Sequence, residues 1–248
     1  MKKIFFSTIL FILCISLILS LFSCRQNSNQ NGSPPEETKS KYDGFPTVII
    51  DAGHGGEDGG TVGIDGTLEK DINLLIALEL DAILRSEGVK TQLTRSEDVL
   101  LYDKNSDYEG QKKKQDAAAR IRICEEYEDA IFISIHMNSF PQSKYKGLQV
   151  YYSTNSPLSA KLADTVQTLV AKNLQYDNTR KTKPSGENIY ILKKLQHPAI
   201  LIECGFLSNP EDCANFNTPT YRTKICLIIF SSVCNYFQTI TDNNTQST

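Results

Sequence analysis

The chain has 248 residues, of which 40% are hydrophobic and 22% charged, enough for one globular domain with a substantial core. Its net charge of −3 provides no electrostatic footprint for nucleic acid, which argues against nucleic-acid binding as its function. The seven cysteines include no Cys-x-x-Cys pair, so the spacing of a zinc finger is absent from the sequence.

The N-terminal residues predict export from the cytoplasm. Lys2 and Lys3 precede an apolar run over residues 4–22, which is the pattern of an export signal. The run is also near the length that spans a bilayer. Residues 1–24 are therefore predicted to be a cleaved signal, a retained membrane anchor, or a lipoprotein signal with Cys24 as the lipidated residue. All three options place the rest of the chain outside the cytoplasmic membrane.

The remaining sequence predicts one folded domain between two polar segments. Residues 25–45 are rich in Asn, Ser, Gln, Pro and Glu and are predicted to be a linker, because they cannot bury a core. Residues 46–238 are predicted to form the domain, and residues 239–248 a polar tail.

Within the domain, apolar periodicity predicts alternating strands and helices. Short runs rich in β-branched residues indicate strands, and apolar residues at three- and four-residue spacing indicate helices. The predicted strands are residues 47–52, 89–94, 130–136, 148–153, 189–192 and 199–203. The predicted helices are residues 69–86, 116–127, 157–173 and 221–237, with a polar loop at 103–115. This alternation is typical of an α/β sandwich with a largely parallel sheet.

Polar side chains stand at the ends of three predicted strands. The first strand runs into Gly53 and His54, the third ends in His136, and the sixth ends in Glu203. In a parallel sheet these side chains emerge at one edge, where the sites of such folds lie. Two imidazoles and a carboxylate are typical of a catalytic zinc site with a position open for water, although they also suit iron. The remaining histidine, His197, precedes a proline in a loop and is expected to be structural or to lie at the surface.

The residues alone leave the third metal ligand open. Glu57 follows His54 at the spacing of the first two ligands of a zinc carboxypeptidase, whereas Glu69 starts the next predicted helix. Asp51 and Asp58 are weaker candidates, and we expect them to stabilise the turn or to hydrogen-bond to a ligand.

Five sequence segments occur in the order of a known family. They are DAGHGGEDGG at 51–60, LEKD at 68–71, LTR at 93–95, SIHMN at 134–138 and LIECGFLSN at 201–209. Together they resemble the zinc-dependent N-acetylmuramoyl-L-alanine amidases, and the likeness extends over nearly all of residues 47–237. The resemblance implies one zinc ion held by His54, Glu69 and His136, with Glu203 as the catalytic carboxylate. It also implies a six-stranded sheet with helices on both faces.

The resemblance further implies a function. Such an enzyme hydrolyses the amide bond between N-acetylmuramic acid and the L-alanine of the peptidoglycan stem peptide, with Glu203 transferring a proton from water to the leaving nitrogen. Arg95 and Asn138 match family positions near the site. The basic loop that contains Arg180 is expected either to contact stem-peptide carboxylates or to be a solvated loop.

Within the family, residues 112–120 and 178–183 resemble the branch that matures the spore cortex. The sequence specifies no protein activator. Two alternatives to the amidase are a zinc carboxypeptidase that trims stem peptides, with Glu57 as a ligand, and an inactive homologue that only binds the wall.

Overall fold

The computed structural model describes residues 40–103, 105 and 110–246. The predicted export segment, residues 1–24, and most of the predicted linker lie outside these residues. The folded unit begins at Ser40. Tyr42 is buried, Phe45 packs against the same core, and both rings contact Phe237. The end of the predicted linker is therefore part of the folded domain.

The strands form one mixed sheet. They are β1 (Thr47–Ala52), β2 (Thr91–Leu93), β3 (Ala130–Asn138), β4 (Gln149–Tyr152), β5 (Lys183–Pro184) and β6 (Ala199–Phe206). Their order across the sheet is β2-β1-β3-β6-β4-β5. The first four of these are parallel, whereas β4 runs antiparallel to β6 and parallel to β5. The prediction of a largely parallel sheet is confirmed, and the carboxyl ends of β1, β3 and β6 lie side by side.

Helices cover both faces of the sheet, as the family resemblance implies. They are α1 (Glu69–Ser86), α2 (Lys112–Glu125), α3 (Pro157–Asn173), α4 (Tyr190–Lys194), α5 (Pro210–Phe216) and α6 (Pro219–Gln246). On one face, α1, α3 and α6 contribute Ile76, Val166 and Ile229 to the larger apolar core. On the other face, α2 and α4 contribute Cys124 and Leu192 to a smaller one. The edge of the sheet at the carboxyl ends of β1, β3 and β6 thus lies between the two helical layers.

The prediction of a strand at residues 189–192 is wrong. These residues belong to helix α4 and its start, where the N–H of Lys193 donates to the carbonyl of Ile189. A four-residue apolar run fits a helix as well as a strand, because it is too short to show the period of either element. Leu192 is buried in the smaller core, and the edge strand of the sheet is β5 instead.

Two other helices differ from the prediction. Helix α2 begins at Lys112, inside the predicted polar loop. The prediction misses this start because the first turn carries no apolar residue that periodicity could detect. Helix α5 is missing from the prediction, although the sequence holds a start signal for it. Asn209 accepts hydrogen bonds from the backbone N–H groups of Glu211 and Asp212, and Pro210 is the first helical residue.

The last helix extends into the predicted polar tail. Among the described residues, the stretch Pro219–Asp242 is long and apolar enough to cross a membrane by length and composition. Its side chains Ile225, Ile229 and Val233 are buried in the larger core, which is the position of a core helix.

Candidate metal centre

The loop after β1 places the first histidine. His54 has a φ of 61° and is the only non-glycine residue with positive φ among those described. The left-handed conformation costs a residue with a side chain about 1–2 kcal/mol, so the surrounding structure must hold it there. The preceding Gly53 makes room for the second histidine, because a Cβ at this position would lie 2.3 Å from Nε2 of His136.

His54, Glu69 and His136 converge at the carboxyl edge of the sheet. Their ligand atoms all lie within 4.8 Å of one another. Oε1 of Glu69 is 3.2 Å from Nε2 of His54 and 3.0 Å from Nδ1 of His136. Glu69 opens α1 and is buried, and it also accepts hydrogen bonds from the backbone N–H groups of Thr61 and Met137. These three side chains could hold one metal ion.

Glu69 and the two histidines stabilise one another's charged forms. Burial raises the pKa of Glu69, but hydrogen bonds and charges from His136 and His54 outweigh it and hold this pKa well below its usual range. Burial lowers the pKa of His54, whereas Glu69 and Asp58 raise it, with a net increase. Oδ2 of Asp58 lies 3.0 Å from Nδ1 of His54 and so leaves Nε2 directed at Glu69. A carboxylate commonly orients a metal-ligating histidine in this way.

Glu203 lies directly beside the cluster. The register of β3 and β6 pairs it with His136. Its Oε2 atom is buried and has no hydrogen-bond partner among the described residues. Burial raises the pKa of Glu203 to about 7, the charge of Glu69 adds to the increase, and the two histidines oppose it. A carboxyl with a pKa near neutrality can both accept and donate a proton.

A buried ionic network lies beneath the loop. Asp51, at the end of β1, accepts hydrogen bonds from Thr94, Ser134 and Arg120 at 2.7, 2.6 and 2.6 Å. Arg120 of α2 also donates to the carbonyl oxygens of Ala52 and His54, each at 2.7 Å. The network therefore fixes the backbone on which the first histidine sits.

Sequence analysis did not single out Arg120 as a site residue. A signal was available, because Arg120 stands four residues before Cys124, on the apolar side of the predicted helix. A charge at such a position requires a buried partner. Asp116, one turn earlier, accepts from its Nε at 2.8 Å, and Asp51 is the second partner.

Arg95, which matches a family position, also binds the loop backbone. Its Nε donates to the carbonyl oxygen of Ala52 at 2.8 Å, and its Nη2 donates to those of Gly53 and Lys70 at 3.0 and 2.9 Å. The residue is only 3% exposed. Arg95 therefore supports the loop from below rather than facing a ligand.

The other candidates lie outside the cluster. Glu57 is exposed, and its Oε1 is 2.6 Å from Nζ of Lys112, so the structure does not bring it to the histidines. Asn138 ends β3, and its Oδ1 accepts from the N–H of Ser139. His197 lies just before β6, and its Nε2 is 3.0 Å from the carbonyl oxygen of Tyr127, as expected of a structural residue.

Comparisons with known proteins agree with this geometry. The sequence model of one family, described as N-acetylmuramoyl-L-alanine amidase, matches residues 48–235. The chain is similar to the germination-specific N-acetylmuramoyl-L-alanine amidase of Bacillus subtilis (strain 168), with 32% identity over 227 residues that cover 92% of this chain and 93% of that protein.

Two solved structures are also similar. The CwlD amidase from Clostridioides difficile in complex with the GerS lipoprotein has a TM-score of 0.73 and 37% identity, over 78% of this chain and 99% of that chain. The amidase AmiC2 of Nostoc punctiforme has a TM-score of 0.67 and 31% identity, over 78% and 97% of the two chains. With a family match across most of its length and a fold shared with these enzymes, the chain belongs to the N-acetylmuramoyl-L-alanine amidase family.

Proposed function

We propose that this chain hydrolyses the amide bond that joins the lactyl group of N-acetylmuramic acid to the L-alanine of the stem peptide. One observation carries the proposal. The cluster of His54, Glu69 and His136 lies beside the buried Oε2 of Glu203, which no described residue binds. A metal position next to a free proton acceptor is what the hydrolysis of an unreactive amide requires.

We infer that the metal is zinc. Two imidazole nitrogens and one carboxylate oxygen form a donor set of catalytic zinc sites. Gly60 leaves space for the ligands because it has no side chain. A Cβ at this position would lie 2.5 Å from Oε2 of Glu69 and 2.8 Å from Cδ2 of His54, which is too close for either side chain. The hydrogen bond that Asp58 accepts from Nδ1 of His54 supports the same assignment.

The roles of the chain's own residues follow from their positions. Zinc bound here supplies Lewis acidity, which polarises an amide carbonyl and makes water nucleophilic near neutral pH. Glu203 accepts the proton of the attacking water and delivers it to the nitrogen of the leaving L-alanine. Burial raises the pKa of Glu203 above its usual value, which favours both transfers by this single carboxyl. Asp51, Arg95 and Arg120 keep the His54 loop in place during the reaction.

We infer that the enzyme acts on peptidoglycan outside the cytoplasmic membrane, with residues 1–24 as a membrane anchor, a lipoprotein signal or a cleaved export signal. The B. subtilis relative is named as germination-specific, which supports a role in the spore cortex. The similar C. difficile amidase is in complex with a lipoprotein, which supports a protein partner for this chain as well.

The test is mass spectrometry of peptidoglycan after incubation with the purified protein and zinc. We expect peptide-free glycan together with stem peptides that carry a new N-terminal L-alanine. Protein stripped of metal with a chelator is the control, and it should regain activity when zinc is returned. Loss of one terminal residue from the stem would identify a carboxypeptidase instead. Zinc-loaded protein that releases no product would indicate either an inactive wall-binding homologue or an enzyme that requires its protein partner.

A further inference from the structure

The segment that contains Arg180 lies on the same face of the sheet as Glu203. Gln149 of β4 is paired with Glu203 of β6 in the antiparallel register, so their side chains share one face with Cβ atoms about 5 Å apart. Nε2 of Gln149 donates a hydrogen bond to the carbonyl oxygen of Lys181. Arg180 and Lys181 therefore pass over the face that carries the catalytic carboxylate.

The side chain of Arg180 is held in place by two contacts. Its Nε donates to the carbonyl oxygen of Lys146 at 3.1 Å. Its guanidinium carbon lies 4.7 Å from the ring centroid of Phe206, the last residue of β6. These contacts fix the guanidinium near the end of the strand that carries Glu203, and pre-organisation of this kind reduces the entropy lost on binding.

The charge of Arg180 has no counterion among the described residues. Its Nη1 and Nη2 atoms make no hydrogen bond or ion pair there, and the residue is partly exposed. The adjacent Lys146 differs, because its Nζ lies 2.8 Å from Oδ2 of Asp177 and 2.7 Å from Oε2 of Glu211. A fixed guanidinium with two nitrogens that no described residue binds is suited to an anionic ligand.

The pKa of Tyr151 in β4 is shifted by the charges of both Glu203 and Arg180. Burial raises the pKa of Tyr151, the charge of Glu203 raises it further, and the charge of Arg180 lowers it. The phenol therefore lies within the electrostatic range of both groups. This agrees with the position of Gln149, which is paired with Glu203 and hydrogen-bonded to the carbonyl oxygen of Lys181.

The chemistry of the substrate identifies the anion. In an intact muramoyl peptide the lactyl carboxyl is part of the amide that is cleaved, and the sugars are neutral. The negative charges of the substrate are therefore the free carboxylates of the stem peptide. Guanidinium binds a carboxylate through two parallel N–H···O bonds, which a neutral amide cannot reproduce.

Resting on the proposed function, we propose that Arg180 binds a free carboxylate of the stem peptide close to the scissile amide. Arg180 then sets a preference for stems whose second residue is acidic over stems in which that carboxyl is amidated. Loss of one charge-assisted hydrogen-bonded pair corresponds to about a tenfold to hundredfold change in kcat/KM.

The experiment compares two synthetic substrates with the full-length, zinc-loaded protein. One is a muramoyl dipeptide with a free carboxylate on its second residue, and the other is its amidated analogue. We expect the wild type to prefer the acidic substrate by about tenfold or more, mainly through KM. Arg180→Met keeps the length of the side chain and should lose this preference, whereas Arg180→Lys should keep part of it. Lys181→Met, an exposed neighbouring cation, is the matched control and should behave as the wild type.

Two results would overturn the assignment of Arg180. One is a wild type without preference, and the other is an Arg180→Met variant with an unchanged preference. If the wild type cleaves neither dipeptide, the peptidoglycan digest tests the proposed function separately. Calorimetric titration of the two dipeptides, which needs no turnover, then decides the role of Arg180. Tighter binding of the acidic form by the wild type but not by Arg180→Met supports the assignment, and equal binding overturns it.

Discussion

Glu203 combines a position in register with His136 and a buried oxygen that no described residue binds. Glutamine has nearly the same shape but cannot take up a proton as a carboxylate does. Glu203→Gln should therefore keep its zinc and lose turnover by about 10²–10⁴-fold. Zinc content by elemental analysis and peptide release from the wall are measured on the same samples. A near-wild-type rate would refute the role in proton transfer, and loss of zinc would make Glu203 a ligand.

Asp58 orients the imidazole of His54. Its carboxylate accepts a hydrogen bond from Nδ1 of His54, the ring nitrogen that faces away from the cluster. Asp58→Ala should leave the fold intact and weaken zinc binding by about 10–100-fold, as for other residues that orient a ligand. The dissociation constant is measured by competition with a chelator. Glu57→Ala is the matched control, since Glu57 is the exposed neighbouring acid and pairs with Lys112. Equal zinc affinity in the two variants would contradict the orienting role.

The sequence predicts part of the site residue by residue. His54, His136 and Glu203 follow or end apolar strands, so their meeting at one edge depends only on parallel pairing. The choice between Glu57 and Glu69 does not follow from spacing, because both come after His54 in a polar segment. The structure separates them by bringing the first residue of α1 under the end of β3. Long-range packing of this kind leaves no local pattern.

At the scale of elements, strong periodicity gives accurate bounds. The predictions for α1 and α3 match the observed ranges because each helix buries a regular apolar stripe, and the prediction for β1 matches because its continuous apolar run is buried. Helix α4 was misassigned because a short apolar run has no diagnostic period. The start of α2 was missed because its first turn carries lysines that pair with Glu57 and Asp58 rather than with the core. Periodicity detects only the part of an element that faces apolar groups.

Helix α2 is joined to the sheet by Arg120, whose charge is buried against Asp51 and Asp116. Arg120→Met should lower the free energy of unfolding by about 3–5 kcal/mol, because it leaves the carboxylate of Asp51 buried without its cation. Arg122→Met on the exposed side of the same helix should change it by less than about 0.5 kcal/mol. Urea denaturation of both variants gives the comparison. Similar midpoints would show that the ion pair contributes nothing beyond a surface charge.

At the scale of the whole molecule, the fold determines where the chemistry lies. Three parallel strands bring two histidines and a glutamate to one edge, and α1 supplies the fourth side chain from its first residue. The antiparallel β4 was beyond sequence reasoning, because strand direction depends on how the chain crosses the sheet rather than on composition. That reversal places Gln149, and with it the segment of Arg180, beside Glu203. The inferred substrate preference is thus a property of topology.

The buried charge of Asp51 links the stability of the whole fold to pH. Burial raises the pKa of Asp51, but Arg120, Ser134 and Thr94 outweigh it and keep the pKa below the ordinary value. Below about pH 4 the unfolded chain therefore binds more protons than the native state, and stability falls as pH decreases towards the folded pKa. The contribution of Asp51 is fully present above this window.

This linkage predicts how Asp51→Asn behaves in acid. The variant should be less stable than the wild type at pH 7, because Arg120 loses a charged partner that is buried with it. Its free energy of unfolding should then fall less steeply below about pH 4, since the carboxyl that takes up the proton in the unfolded chain has been removed. Urea midpoints at closely spaced pH values measure both slopes. Parallel slopes in the two proteins would mean that other carboxylates carry the acid sensitivity and that Asp51 is not held in its charged form by Arg120.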